Sequence, residues 1–437
     1  MSQPNILFII ADQWAAVTAD GRQNDPGKPQ TPHIARLARE GTSFGQAYCP
    51  FPVCTPARAA MFSGNMPSHT RVINNHNHDA DRVPADLPRL GRIFRDAGYD
   101  TGYFGKNHSA GVAADGFAET GQYVYDGPGY LACGHMWDPL FTRDAVEFVS
   151  RDRSNPFFCT LSLINPHDIC RIPKGVPRED TSVADLTDRF NWSDEYLRGG
   201  KLPPVPTNHE APSPEPMLPS HGASPDWDEA RWRRFIGVYH LLIENTDWMI
   251  GLVLDALHRA GIEENTLVVF TTDHGDHAGA HRLVGKGSFF EESARVPLVA
   301  RLPGQIAADR FDRDHGVSGV DLLPTFCDFA GLTITQNIDG SSLRPLMQDS
   351  PEEVEWREGV FCELSDGRMV RFGNYKYIRH ESPAPAEFLF CLSEDPGETT
   401  NLLDASAHRE ARQKGRELLE QYDQQMGAAE QISNPLS

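Results

Sequence analysis

Cys54 stands directly ahead of Thr-Pro-Ala-Arg in the run CPFPVCTPARAAMFSG, residues 49–64. Pro56 suits the first turn of a helix, where its missing N–H costs nothing. Ala57, Ala59, Ala60, Met61 and Phe62 carry that helix on. Cys54 is therefore expected at a helix N-terminus, where free N–H groups and the dipole favour an anion. Arg58 adds a fixed positive charge one turn later. Such a cysteine is either a small buried hydrophobe or a reactive group facing an anionic substrate, and the run alone leaves both open.

Other candidate groups follow apolar runs. Residues 5–10 lead to Asp12 and Gln13, residues 101–104 to Lys106 and His108, residues 157–164 to His167, and residues 267–271 to Asp273 and His274. Each pair alone reads as a cap or turn. Together, Asp12, Gln13, Asp273 and His274 form an oxygen-rich donor set that suits a hard divalent cation better than a thiolate-preferring one. Adding Arg58, Lys106, His108, His167 and Lys286 gives a cation-rich pocket around a metal. That is the equipment for displacement at a tetrahedral oxyanion such as sulfate or phosphate.

The elements that must position these groups are legible as pattern. The apolar runs read as buried strands, with helical stripes between them. The clearest stripe runs through Phe235, Val238, Tyr239, Leu242, Ile243, Met249, Ile250, Val253, Leu254 and Leu257, with Gly261 as its stop. Strands alternating with helices predict a largely parallel sheet covered on both faces, with ligands at the carboxyl ends of the strands. Residues 201–227 are proline-rich and read as a long loop shaping a pocket mouth. From about residue 358 the texture becomes a strand meander, with EFLFCL as a fourth strand and a polar helix from about residue 405. The expected organisation is a catalytic unit over 1–350 and a small α+β unit over 351–437.

The chain has 437 residues and a formal net charge of -21, which argues against non-specific binding to nucleic acid or an anionic membrane. MSQPNILFIIADQW has no basic start, and its apolar run is too short for an export signal. No stretch is long and apolar enough for a membrane span. The eight cysteines, at 49, 54, 133, 159, 170, 327, 362 and 391, include no C-x-x-C pair. They form neither a disulfide framework nor a zinc ribbon. A cytoplasmic protein with reduced thiols is expected.

Over nearly its whole length the sequence resembles a type I sulfatase of the alkaline-phosphatase superfamily. The resemblance is carried by NILFIIADQW, TPHIARLAREGTSFGQAYCPFPVCTPAR, GYDTGYFGKNH, PFFCTLSLINPH, NTLVVFTTDHGDHAGAHRLVGKGSFFEESARVPLVARLPG and EDPGETTNL. Its most specific element is C-x-P-x-R, met by Cys54, Pro56 and Arg58. The resemblance implies a large, mostly parallel sheet sandwiched by helices, with a small C-terminal antiparallel sheet and helix. It also implies that a formylglycine-generating maturation enzyme oxidises Cys54, so that a gem-diol hydroxyl at residue 54 becomes the nucleophile. Asp12, Gln13, Asp273 and His274 would then hold Ca²⁺, or Mg²⁺ or Mn²⁺, beside residue 54. Arg58 would orient the gem-diol, and Lys106 and Lys286 would clamp the sulfate oxygens. His167 would protonate the departing alcohol, His108 would deprotonate the second hydroxyl to expel sulfate, and Asp273 would serve as base for the first.

Gln13 stands where many members carry a second Asp, Ala57 replaces a frequent Ser, and Asn65 follows Gly64 where Arg is frequent. Asn107 splits Lys106 and His108 where Trp is common. His281 lies near Lys286 in sequence and reads either as a substrate contact or as a surface histidine. His76 and His78 read as loop residues, and Trp14 and Trp137 as core. The implied substrate is a sulfate ester, of a small imported sugar given the expected cytoplasmic setting, with aryl sulfates also turned over. One rival is a phosphonate monoester or phosphodiester hydrolase of the same superfamily; the Lys106–His108 pair favours sulfate. The other is an inactive, sulfatase-like binding protein, which the filled catalytic positions disfavour.

Overall fold

The computed structural model describes residues 3–18, 27–75, 83–121, 134–171, 202–211, 213, 221–223, 226–348, 354–381 and 384–427. His76, His78, Cys133 and much of the proline-rich segment lie outside the described residues. The main sheet has eight strands. In chain order they are β1 (Asn5–Asp12), β2 (Thr42–Phe44), β3 (Asp100–Gly105), β4 (Glu119–Thr120), β5 (Phe157–Pro166), β6 (Thr266–Thr272), β7 (Leu298–Arg301) and β8 (Arg310–Asp312). Their spatial order is β8-β2-β7-β6-β1-β5-β3-β4. All pairs are parallel except those of β7 with β6 and with β2.

Register explains why distant segments meet. Ala11 of β1 pairs with Thr272 of β6, Asp12 with Pro166 of β5, and Gly105 of β3 with Ser162 of β5. Asp12, Lys106, His167 and Asp273 therefore emerge at one carboxyl edge, where ligands bind in open parallel sheets. Gly105 is required there. Its φ is +120°, and a Cβ would lie 1.9 Å from the Ser162 carbonyl oxygen.

The strands are buried on both faces, which is why they read as continuous apolar runs rather than alternating ones. Ile6, Phe8 and Ile10 face a cluster with Phe62 and Phe326, while Leu7, Ile9 and Ala11 face one with Phe141, Tyr239 and Ile250. The first layer holds α2 (Cys54–Ser63) and α5 (Leu322–Ala330); Phe8 lies 5.6 Å from Phe62 and 5.0 Å from Phe326, ring to ring. The second holds α3 (Gly134–Val149) and α4 (Glu229–Arg259), with α1 (Pro32–Glu40) beside them. Asp228 caps α4 by accepting from Arg231 N–H at 2.8 Å, and Gly261, one residue beyond the C-cap, takes the left-handed conformation at φ +67°. Among the described residues, no helix is long and apolar enough to cross a membrane.

The C-terminal meander is an antiparallel sheet of β9 (Gly359–Leu364), β10 (Gly367–Phe372), β11 (Tyr375–His380) and β12 (Ala386–Cys391), packed by α6 (Arg409–Gln425). Fully buried Lys376 of β11 lies 2.7 Å from Glu291 and 2.8 Å from Glu398. It also donates to the Phe289 carbonyl at 2.8 Å. This ion cluster fastens the small sheet to the segment just after Lys286. Removing one member of such a buried pair costs about 3–5 kcal/mol, because the other charge is left uncompensated.

Candidate active site

All ten residues of α2 are buried, and Cys54 is its first residue. Val53, the N-cap, offers no side-chain cap; instead the Asn75 side-chain oxygen accepts from Thr55 N–H at 3.0 Å. Gly64 ends the helix at φ +69°. The opening alternatives are thus both met in part, since Cys54 is buried and also faces charged groups. Its sulfur lies 3.1 Å from Lys286 Nζ, 3.2 Å from His274 Nε2, 3.7 Å from Lys106 Nζ and 3.9 Å from Asp12 Oδ1.

Arg58 is completely buried, one turn along α2. Its Nε donates to Asp273 Oδ2 at 2.7 Å and its Nη2 to Asp12 Oδ2 at 3.1 Å. Its Nη1 donates to the Lys106 carbonyl at 3.1 Å and to Ser162 Oγ at 2.7 Å. The guanidinium therefore ties α2 to the ends of β1, β3, β5 and β6. Lys106 Nζ adds a 2.6 Å contact to Asp12 Oδ2.

Asp12, Cys54, Asp273 and His274 each offer a donor atom, and these atoms lie within 4.8 Å of one another. His274 Nδ1 meets the Gly275 carbonyl at 3.0 Å. That contact puts the ring proton on Nδ1 and turns the Nε2 lone pair toward the cluster, as in ligating histidines. Two fully buried carboxylates, an imidazole lone pair and residue 54 converge, so the residues present fit a hard divalent cation.

Gln13 joins this cluster in a left-handed conformation, φ +71°. Its Oε1 accepts from Lys286 Nζ at 2.8 Å and from Cys170 Sγ at 3.2 Å, and its Nε2 donates to Asp276 Oδ2. Asp276 and Cys170 are site residues that sequence reading missed. Asp276 had a signal, since it lies in the same TDHGD run as Asp273. Cys170, three residues after His167, had none. Ser162, which accepts from Arg58 and donates to the Lys106 carbonyl at 2.7 Å, read only as part of a strand.

The electrostatics follow from dense burial of opposite charges. Burial alone would raise the Cys54 thiol, but Lys106, Lys286 and His274 outweigh it and hold it well below the ordinary range. Burial and Cys54 also oppose ionisation of Asp12, yet Lys106, His167 and Lys286 keep its carboxyl below the usual value. Burial and the neighbouring Asp12 push Asp273 up. Both lysines stay charged despite burial, Lys106 through Asp12 and Lys286 through Cys54. His167 is pulled down to about 4 by burial and then by Lys286 and Lys106. Burial likewise lowers His108.

His281 is no surface residue. It is 2% exposed and stacks on Phe290 at 3.9 Å, with its Nε2 3.3 Å from the Asn208 amide nitrogen. Trp14 is fully buried with its edge toward Phe270, and Trp137 stacks along its own helix on Phe141. The described part of the proline-rich segment contributes Asn208, which donates to Glu292 Oε1 at 2.9 Å and to the Gly397 carbonyl at 3.1 Å. That loop stitches the short helix Glu291–Ala294 to the C-terminal turn.

Comparison with known proteins gives a consistent picture. The sulfatase family model matches residues 4–332, and the model described as N-sulphoglucosamine sulphohydrolase, C-terminal, matches residues 279–425. The chain is 31% identical over 446 residues to a Delta 4,5-hexuronate-2-O-sulfatase of Bacteroides thetaiotaomicron, covering 96% of this chain and 89% of that one. A solved 2-O GAG sulfatase superposes with a TM-score of 0.81 at 28% identity, over 97% of this chain and 93% of that one. The phosphonate monoester hydrolase of Agrobacterium radiobacter shares the fold, with a TM-score of 0.78 at 22% identity over 97% and 96% of the two chains.

Proposed function

The chain belongs to the sulfatase family and is a sulfuric ester hydrolase, and on that premise we propose that it removes sulfate from a small sulfated sugar, with residue 54 as formylglycine and a divalent metal beside it. The observation that carries this reading is Cys54 at the head of α2, with Lys286 at 3.1 Å, His274 at 3.2 Å and Lys106 at 3.7 Å. A maturation enzyme would supply the oxidation of Cys54. Formylglycine supplies a hydrated aldehyde, with one hydroxyl to attack sulfur and a second to help expel sulfate. Asp12, Asp273 and His274, with Gln13 and residue 54, would hold the metal, Ca²⁺ before Mg²⁺ or Mn²⁺, which supplies Lewis acidity at residue 54.

The chain's own residues do the rest. Lys106 and Lys286 flank residue 54 and bind the sulfate oxygens as point charges. Arg58 holds Asp12 and Asp273 in place rather than reaching toward substrate. His108, lowered by burial, rests neutral and accepts a proton from residue 54. His167 also rests neutral. An anionic sulfate between the two lysines offsets the charge that depresses it, so its proton is held at the leaving oxygen only when substrate is bound. The sugar substrate is suggested by the hexuronate-2-O-sulfatase relative.

Turnover of a panel of O- and N-sulfated monosaccharides and disaccharides, alongside aryl sulfates and aryl phosphonates, tests the reading. The expected result is the highest kcat/KM on a sulfated sugar. A preference for phosphonates over every sulfate would assign the phosphonate hydrolase activity instead.

A further inference from the structure

We propose that Tyr239, on α4, is a positioning residue for the metal cluster: its hydroxyl holds the turn after β1 so that Gln13 stays in the left-handed conformation that aims its amide at Lys286 and Asp276. Gln13 is a non-glycine residue at φ +71°, a conformation that persists only where its surroundings over-determine it. The hydrogen bonds of the turn show what does so. Gln13 N–H donates to Asp273 Oδ1 at 3.2 Å and Trp14 N–H to Thr272 Oγ1 at 3.3 Å. Ala16 N–H donates to the Arg295 carbonyl at 3.2 Å. Ala15 N–H and the Gln13 carbonyl meet the same atom. Ala15 N–H donates to the Tyr239 hydroxyl at 2.9 Å, and that hydroxyl donates to the Gln13 carbonyl at 2.7 Å.

Tyr239 is fully buried, and so is Gln13, so water does not replace the hydroxyl. Without it, both backbone groups would be left unpaired in the interior, and the turn would relax toward negative φ. That rotation would swing the Gln13 amide off Lys286 Nζ, now 2.8 Å away, and off Asp276. One oxygen on a helix 226 residues away in sequence thus sets the side chain beside Asp12 and the lysine nearest residue 54. The consequence for metal binding rests on the sulfatase reading; the brace itself does not.

The test is a double-mutant cycle of Tyr239→Phe and Gln13→Gly, read as thermal midpoints of the purified full chain in chelator. Glycine takes a positive φ without strain. Loss of the hydroxyl should therefore lower the midpoint clearly more in the wild-type background than in the Gln13→Gly background. Equal shifts would overturn the brace. If Tyr239→Phe is not recovered folded, recovery of the double variant supports the brace, and failure of both overturns it. Calcium titration of matured enzyme separates positioning from general destabilisation. Tyr239→Phe should weaken Ca²⁺ binding by about tenfold or more, as loss of outer-shell partners does. Ile250→Val, another buried change on α4, should leave it unchanged. Equal weakening by both variants, or none by Tyr239→Phe, would overturn the link from Tyr239 to the metal. Failure of wild-type enzyme to bind any divalent cation would instead count against the metal reading.

Discussion

The ammonium of Lys286 lies 3.1 Å from the Cys54 sulfur and 2.8 Å from Gln13 Oε1, so one buried cation bridges the head of α2 and the end of β1. Its hydrogen bond to an anionic sulfate should be worth about 1.5–3 kcal/mol. Lys286→Ala is therefore expected to lower kcat/KM by about 10- to 100-fold. Lys286→Arg should not restore it, because a planar fork replaces a point charge in a fully packed site. Wild-type kinetics in the alanine variant would remove Lys286 from sulfate binding.

Residue 54 should lose its sulfur in active enzyme. Peptide mass spectrometry of protein co-produced with a maturation enzyme should show formylglycine there. Cys54→Ala should abolish nearly all turnover, and Cys54→Ser should be severely impaired. Full activity with an intact thiol at 54 would contradict the mechanism.

His167 rests at about 4, held there by burial and the two lysines, so it should act as an acid only with substrate bound. General acid catalysis is typically worth about 10²–10⁴. His167→Ala should therefore slow sugar sulfates by that order and activated aryl sulfates far less. Equal losses on both would strip His167 of its acid role while leaving the sulfatase assignment standing.

Removing the metal should lower both activity and Tm. Asp12 ends β1 while Asp273 and His274 follow β6, so a bound cation would cross-link the two strands at their carboxyl ends. A ligand at 100 times its Kd stabilises by about 2.7 kcal/mol through mass action. Chelation should lower the melting temperature, and Ca²⁺ should restore both properties. Unchanged activity in demonstrably metal-free enzyme would sink the donor assignment.

His277 offers a stability test. It is fully buried, its Nε2 lies 3.0 Å from Ser288 Oγ, and burial followed by the nearby His281 pulls it down to about 3. An unfolded histidine titrates near 6.5, so between about pH 6.5 and 3 the unfolded chain binds the extra proton. Stability from this group is thus intact above pH 6.5 and falls as pH drops, by up to about 1.4 kcal/mol per unit. Chemical denaturation at stepped pH should show a shallower acid loss for His277→Gln than for wild type. Identical slopes would show that His277 does not titrate with unfolding.

Much of this molecule was determined by local sequence. Residues 5–10, 157–164 and 267–271 are apolar enough to be strands buried on both faces, and Pro56 with the alanines after it specifies α2. The donors at the strand ends follow directly, because a parallel sheet brings the carboxyl ends of its strands to one edge. Asp12, Lys106, Asp273 and His274 were therefore legible as one site from residue type and place, and the family resemblance added Cys54. Tertiary structure decided what no local pattern encodes. Tyr239 read as one more member of a helical stripe, yet its hydroxyl sits at the turn holding Gln13. His281 read as a substrate contact or a surface histidine, and only the structure shows it buried and stacked on Phe290. Arg58 read as a charge one turn after Cys54 that orients the gem-diol, and only the structure gives its donors to Asp12, Asp273, Ser162 and the Lys106 carbonyl. The physical reason is common to all three. A side chain's type fixes what it can donate or accept, but its partner is set by strand register and packing, for Arg58 and Tyr239 across 46 to 226 residues of chain.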